Sequence, residues 1–294
     1  VEPMAMIKKY GADVLRWYLY SVNPAGEPKR FDENDLLKTF RRFFAIVYNS
    51  FVFLETYGAK ATLRQAQGIQ MTSNILDQWI MIRLNQLVRE ATHNLDAYAM
   101  DEAARKIESF VDDLSRWYIR RSRRRFQQPQ SQEDLGQASN TLREVLLTLS
   151  KILAPFTPFF AEGLYKSLEH ENIKTLKQEA KKQDSVHLCD WPIFDKVKTN
   201  EDLLLGIEEV RRLATLGLAA RAESKIKVRQ PLQKLKIKSE KRKMAGDLLD
   251  ILKDEVNVKE IVFNKNLEKE VELDVVLTKE LREEGVVREF VRMV

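Results

Sequence analysis

At residue 225 the apolar pattern of this 294-residue chain changes period. Upstream, apolar residues recur every three or four positions over long stretches. Downstream, "KIKVR" (225–229) and "KLKIK" (234–238) alternate basic and apolar residues strictly. The first spacing is that of a helix with one face in a core, the second that of a strand with one face in water. A chain carrying both must build two kinds of layer. The pattern predicts a mainly α fold: a helical bundle over 1–195, a connector helix over 196–224, and a small α+β domain over 225–294.

Stop signals divide the bundle. A first helical stretch, 2–20, is interrupted by Gly11, and the Pro- and Gly-containing run 21–31 is a loop. Asp32 or Asn34 caps a helix over 34–57 that Gly58 ends. Its apolar set is Leu36, Leu37, Phe40, Phe43, Phe44, Val47, Phe51 and Leu54. Residues 60–72 are polar and form a connector. The next helix, 74–98, buries Leu76, Ile80, Leu84, Leu87 and Val88. Asp101 is the expected N-cap of a helix over 102–126, which Pro129 separates from helices at 137–153 and 159–169. Residues 185–192 read as extended, and Asn200 caps the connector helix, 201–222. Beyond it come a helix at 246–255, strands at 258–263 and 271–277, and the start of a final helix.

A hydrophobic share of 44% supplies a sizeable core. No apolar run approaches the roughly 18 residues of a membrane helix, and no signal-peptide pattern appears, so a soluble, cytoplasmic chain without a membrane partner is expected. Cys189 is the sole cysteine, which excludes an internal disulfide and a Cys-x-x-Cys metal pair. With His93, His170 and His187, which lack ligand spacing, it is read as a packing or surface residue. There is no glycine-rich phosphate loop and no nucleophile–base motif, so no catalytic or metal residue is assigned. The tandem acids Asp112 and Asp113 are read as counter-charges for arginines one turn on. The opening "VEPMAMIKKYGAD" and the closing "REFVRMV" both read as cut from something longer.

Those arginines lie in "SRWYIRRSRRRF" (115–126). At ~100° per residue, Tyr118, Ile119, Ser122 and Phe126 share an arc about 100° wide that faces the bundle. Arg116, Arg120, Arg121, Arg123, Arg124 and Arg125 take the complementary arc, with Trp117 near its middle. No acid lies between 114 and 132. Like charges at this spacing oppose each other along a helix, so an outside polyanion is the natural partner, and phosphates are the usual one. A merely solvated face is the competing reading.

A second basic concentration follows. Residues 225–243 hold Lys225, Lys227, Arg229, Lys234, Lys236, Lys238, Lys241, Arg242 and Lys243 against Glu240 alone, a local excess larger than the +5 of the whole chain. Strand alternation would place Lys225, Lys227 and Arg229 on one face, and Lys234, Lys236 and Lys238 likewise. A solubilising strand face competes closely with a polyanion grip.

The segment "YGADVLRWYL" (10–19) resembles the stretch that follows the KMSKS signature loop in class I aminoacyl-tRNA synthetases. "SNILDQWIMIRLNQLV" (73–88), "SFVDDLSRWYIRRSRRRF" (109–126), "ILAPFTPFFAEGLY" (152–165) and "RAESKIKVRQPL" (221–232) resemble successive blocks of the isoleucyl-tRNA synthetase family, in family order. The closing "ELREEGVVREFVRMV" resembles a C-terminal block of the same family. "WYIRRSRRRF" and "KVRQPL" point to the isoleucyl branch, whereas "GAD.LR" and "APF.PF" are shared with the valyl and leucyl branches.

The resemblance implies a helical anticodon-binding domain followed by a small appended domain, non-catalytic by itself, with an isoleucine-accepting tRNA as its partner. The arginines and lysines above would grip phosphates, and Trp117 either stacks on a base or packs locally. It implies that the catalytic and editing domains lie upstream and are missing partners. ATP belongs there, so no cofactor is expected here. Gln127 stands where the family commonly has Trp, which implies an altered end to that helix. The family also extends past the final block, which implies an incomplete appended domain, and the zinc site of some members has no cysteines to form it. The matching region of valyl-tRNA synthetase and a helical protein-interaction scaffold with a basic face are the alternatives.

Overall fold

The computed structural model describes residues 2–24, 26–28, 31–58, 74–175, 183–196, 199–239 and 244–293. The chain divides into two compact units, Val1–Thr199 and Asn200–Val294.

The first unit is all helical. Helices α1 (Pro3–Tyr10) and α2 (Ala12–Ser21) meet at Gly11, whose φ of 88° lies where a side chain would be strained. The predicted single helix over 34–57 is instead α3 (Glu33–Thr39), a π-helical turn at Phe40–Phe44, and α4 (Ala45–Gly58). Trp17 of α2 stacks on Phe43 with ring centroids 4.0 Å apart, and its indole N–H donates to Glu108 at 2.8 Å. This aromatic pair packs α2 against the π-helical turn.

Helix α5 (Ile75–Asp96) starts where expected because Asn74 accepts hydrogen bonds from the Leu76 and Asp77 amides. Its five predicted core residues are all buried. The turn after it closes through Tyr98 at a φ of 57°. The following helix does not start at an Asp101 cap. Helix α6 (Met100–Asp113) begins at Ala99 without a side-chain cap, and Asp101 is a buried first-turn residue paired with Arg105.

Helix α6 continues through a second π-helical turn, Leu114–Ile119, into α7 (Arg120–Gln127). The reason is one of phase. A regular helix would rotate the lower buried set (Tyr118, Ile119, Ser122, Phe126) about 100° away from the upper one (Ala103, Ile107, Phe110, Leu114). A wide turn absorbs one extra residue and brings both sets to the same side, where all are buried. Helix α8 (Gln132–Leu153) starts five residues before the predicted position, because Ser131 caps the Asp134 amide. Helix α9 is Pro158–Thr175. Residues 185–192, expected to be extended, hold a 3-10 turn at Val186–Leu188. The connector expected at 60–72 lies outside the described residues.

The second unit is α+β. Strand β1 (Leu232–Ile237) is central, parallel to β2 (Val258–Phe263) and antiparallel to β3 (Val271–Leu273), in the order β2-β1-β3. Helix α11 (Gly246–Val256) makes the crossover that parallel pairing requires. Helix α10 (Glu201–Glu223), capped by Asn200 as expected, packs on α11 and β3. A Cβ on its Gly217 would come within 2.9 Å of Val256, so glycine permits the close approach. Two strand expectations fail. Residues 225–229 form turns, with Lys225 at a φ of 55° and Val228 exposed, and strand character at 271–277 stops at Leu273. Helix α12 (Lys279–Met293) closes the unit.

Candidate nucleic-acid interface

The arginine helix is anchored from behind. Asp77, in the first turn of α5, is fully buried. Arg125 clamps it with both terminal nitrogens, at 2.8 and 3.0 Å, and donates through Nε to Asp134 at 2.7 Å. The Tyr118 hydroxyl donates to the same Asp77 carboxylate at 2.8 Å. Burial works against the charge on Arg125, yet Asp77 and then Asp134 outweigh it and hold the guanidinium above its ordinary range. Burial, reinforced by Asp77, pushes the Tyr118 phenol well above its usual range. Breaking a buried pair of this kind costs about 3–5 kcal/mol, because the surviving charge is left without compensation.

Arg125 therefore departs from the other five arginines. It was expected on the open arc, but on a helical wheel it falls only ~20° from Tyr118, at the edge of the buried stripe. Arg116, Arg120, Arg123 and Arg124 are exposed. Arg116 pairs with Asp112 at 2.7 Å, one turn on as expected, whereas Asp113 accepts at 3.1 Å from Arg83 of α5, an arginine upstream. Trp117 and Arg121 are half-buried, and the Arg121 guanidinium lies 5.6 Å from the Trp117 ring centroid in cation–π contact. Tyr118, Ile119, Ser122 and Phe126, the predicted inward arc, are all buried.

In the second unit, Lys225, Lys227 and Arg229 are exposed on turns rather than along a strand. Lys227 and Arg229 each lie 3.7 Å from Glu289 of α12. Lys234 and Lys236 are half-buried on β1, Lys234 paired with Glu260 at 3.2 Å and Lys236 opposite Glu272 in the sheet register. Lys238 is exposed just past the strand. Lys241, Arg242 and Lys243 lie outside the described residues.

Three residues of consequence escaped the sequence reading: Asp77, Asp134 and Arg221. Arg221 is fully buried at the end of α10, and among the described residues its guanidinium bonds to backbone carbonyls alone. Its signal was the helical phase. Leu203, Ile207, Val210, Ala214, Gly217 and Arg221 run at three- and four-residue spacing, so Arg221 occupies a core position. Among the described residues no group of His, Cys, Asp and Glu could hold a metal ion, and no helix is long and apolar enough to cross a membrane.

Residues 77–237, more than half of the chain, match the family described as the anticodon-binding domain of tRNA ligase. Curated relatives include an isoleucine–tRNA ligase of Clostridium novyi, 35% identical over 94% of this chain and 26% of the relative. Another, from Dehalococcoides mccartyi, is 38% identical over 89% of this chain and 26% of its own length. The chain thus spans about a quarter of the relatives it matches. A solved ternary complex of an Agrobacterium radiobacter LeuRS with tRNA and LeuAMS is similar at a TM-score of 0.46 and 16% identity, over 68% of this chain and 22% of that one, too distant to weigh.

Proposed function

The chain belongs to the anticodon-binding domain family of tRNA ligases, and on that premise we propose that its basic surfaces hold an isoleucine-accepting tRNA by the anticodon stem-loop. The observation that carries this reading is the division of labour within one helix. Tyr118 and Arg125 lock to buried Asp77 on one side, while Arg116, Arg120, Arg123 and Arg124 stand exposed on the other. Guanidinium groups form paired hydrogen bonds with phosphate oxygens, and the counterions they displace from the RNA favour binding. A rigid backing lowers the entropy lost when these side chains engage.

Trp117 carries Arg121 against its ring, so it serves as a shelf that orients a cation toward the sugar–phosphate chain rather than as an open base-stacking plate. Lys225, Lys227, Arg229 and Lys238 supply a second set of phosphate contacts. Lys234 and Lys236, half-buried beside strand acids, contribute less. Isoleucine as the amino acid, ATP as the energy source and the cytoplasm as the location extend the same proposal. In it, this chain provides the tRNA grip, and partner catalytic and editing domains provide the chemistry.

Binding of isoleucine and valine tRNA transcripts, titrated at several salt concentrations, tests the reading. Log K should fall linearly with log salt, and alanine at Arg116, Arg120, Arg123 or Arg124 should each reduce the slope by about one unit. The isoleucine tRNA should bind more tightly. Absence of binding at low salt would overturn the proposal in favour of an acidic protein partner. Preference for the valine tRNA would move the chain to the valyl branch.

A further inference from the structure

Among the described residues of the second unit, Arg221 is a fully buried charged side chain that no carboxylate answers. Burial alone pushes its guanidinium down to about 10. Its donors go to four carbonyls from two separate segments. Nε reaches Val256 at 2.7 Å and Nη2 reaches Asn257 at 2.7 Å, which are the last carbonyls of α11 and its immediate neighbour. That is the negative end of a helix dipole, the backbone feature best suited to a cation. Nη1 reaches Lys227 at 3.1 Å and Gln230 at 2.9 Å. One side chain thus fastens the turn over 225–230 to the junction between α11 and β2.

A second tie lies beside it. Asn257, at a left-handed φ of 54°, donates from Nδ2 to the Val228 carbonyl at 2.8 Å. The carbonyls of Lys227, Val228 and Gln230 therefore all accept hydrogen bonds from side chains of the same unit. An anion approaching a turn ordinarily meets some carbonyl dipoles, which repel it. Here three are already engaged, while Lys227, Val228 and Arg229 are exposed, with Glu289 at 3.7 Å from both Lys227 and Arg229 as the carboxylate that a phosphate would displace.

Resting on the reading of Lys225, Lys227 and Arg229 as RNA contacts, we propose that Arg221 is a positioning residue for that site, holding the turn in the one conformation that presents the three cations together to a phosphate chain. It never touches the RNA. Its role is to convert three flexible cations on a turn into a fixed array, so that their contacts form together.

The test uses the 294-residue chain, an isoleucine tRNA transcript and the salt dependence of binding. The reference is the triple variant Lys225→Ala, Lys227→Ala, Arg229→Ala, which should lose about two to three units of slope. Arg221→Lys keeps the charge but not the fork, and should lose nearly as much slope with all three cations still present. Asn257→Gly retains the left-handed backbone at no steric cost, removes the side-chain tie to Val228 together with the bond that Asn257 accepts from Arg288, and serves if Arg221→Lys fails to fold. Its loss should be smaller but in the same direction. Either substitution added to the triple variant should produce no further change in slope. If the triple variant loses slope while Arg221→Lys and Asn257→Gly retain it, Arg221 is only a packing residue and the inference is overturned. If the triple variant itself retains the wild-type slope, the fault lies with the turn as an RNA contact.

Discussion

Asp77 has no contact with water, and the groups that answer its charge come from a helix some forty residues further along the chain. Tyr118 is one of them, and its raised phenol gives the pair a pH signature. Because the folded state resists ionising Tyr118, its contribution is intact below the ordinary phenol value near 10 and drains as pH climbs toward the raised one. Tyr118→Phe should cost about 1.5–3 kcal/mol at neutral pH, the worth of one hydrogen bond to a charged carboxylate. Above pH ~10 the wild type should lose up to ~1.4 kcal/mol per unit relative to the variant, so the two stabilities converge. Urea midpoints between pH 7 and 11 measure this, and a constant gap would refute it. Residues of this kind are half legible. The helical phase of Arg221 and the wheel position of Arg125 show that they turn inward, but their partners are distant in sequence, and no spacing rule reaches that far.

Elements were legible where one spacing ran unbroken and a capping side chain marked the start, as at Asn74 and Asn200. They were misread where a second physical cause produced the same pattern. "KIKVR" alternates like a strand, but Lys225 has left-handed backbone and Val228 is exposed, and the Lys227 and Val228 carbonyls accept from the Arg221 and Asn257 side chains instead of from a neighbouring strand. The π-helical turns were invisible because a wheel drawn at a fixed angle assumes them away. They have a consequence that can be checked. Deleting one residue inside an ordinary buried helix rotates everything after it by ~100°. Deleting Ser115 should instead return Leu114–Ile119 to regular α-helix, leaving a folded protein with some loss of stability. Deleting Lys106, in the regular part of α6, should prevent folding of the first unit. Far-UV circular dichroism and thermal unfolding distinguish the two, and equal damage from both deletions would contradict the account.

At the scale of the molecule, two units with separate cores predict two unfolding events. The four tryptophans, Trp17, Trp79, Trp117 and Trp191, all lie in the first unit. Tryptophan fluorescence should therefore follow the first unit alone, and far-UV circular dichroism should follow both. The two melting curves should not coincide, and Arg221→Lys should shift only the component that fluorescence does not see. Superimposable curves would mean a single cooperative unit. The order of the sheet bears on how the chain is made. Its central strand is synthesised first, and both neighbours emerge only after further residues have been added, a wait on the order of seconds at ribosomal speed. During that interval both edges of β1 are bare, and a bare apolar strand pairs readily with another copy of itself. Lys234, Lys236 and Lys238 repel such a copy, so the alternation that first marks this strand in the sequence also guards the nascent chain against aggregation before its own neighbours arrive.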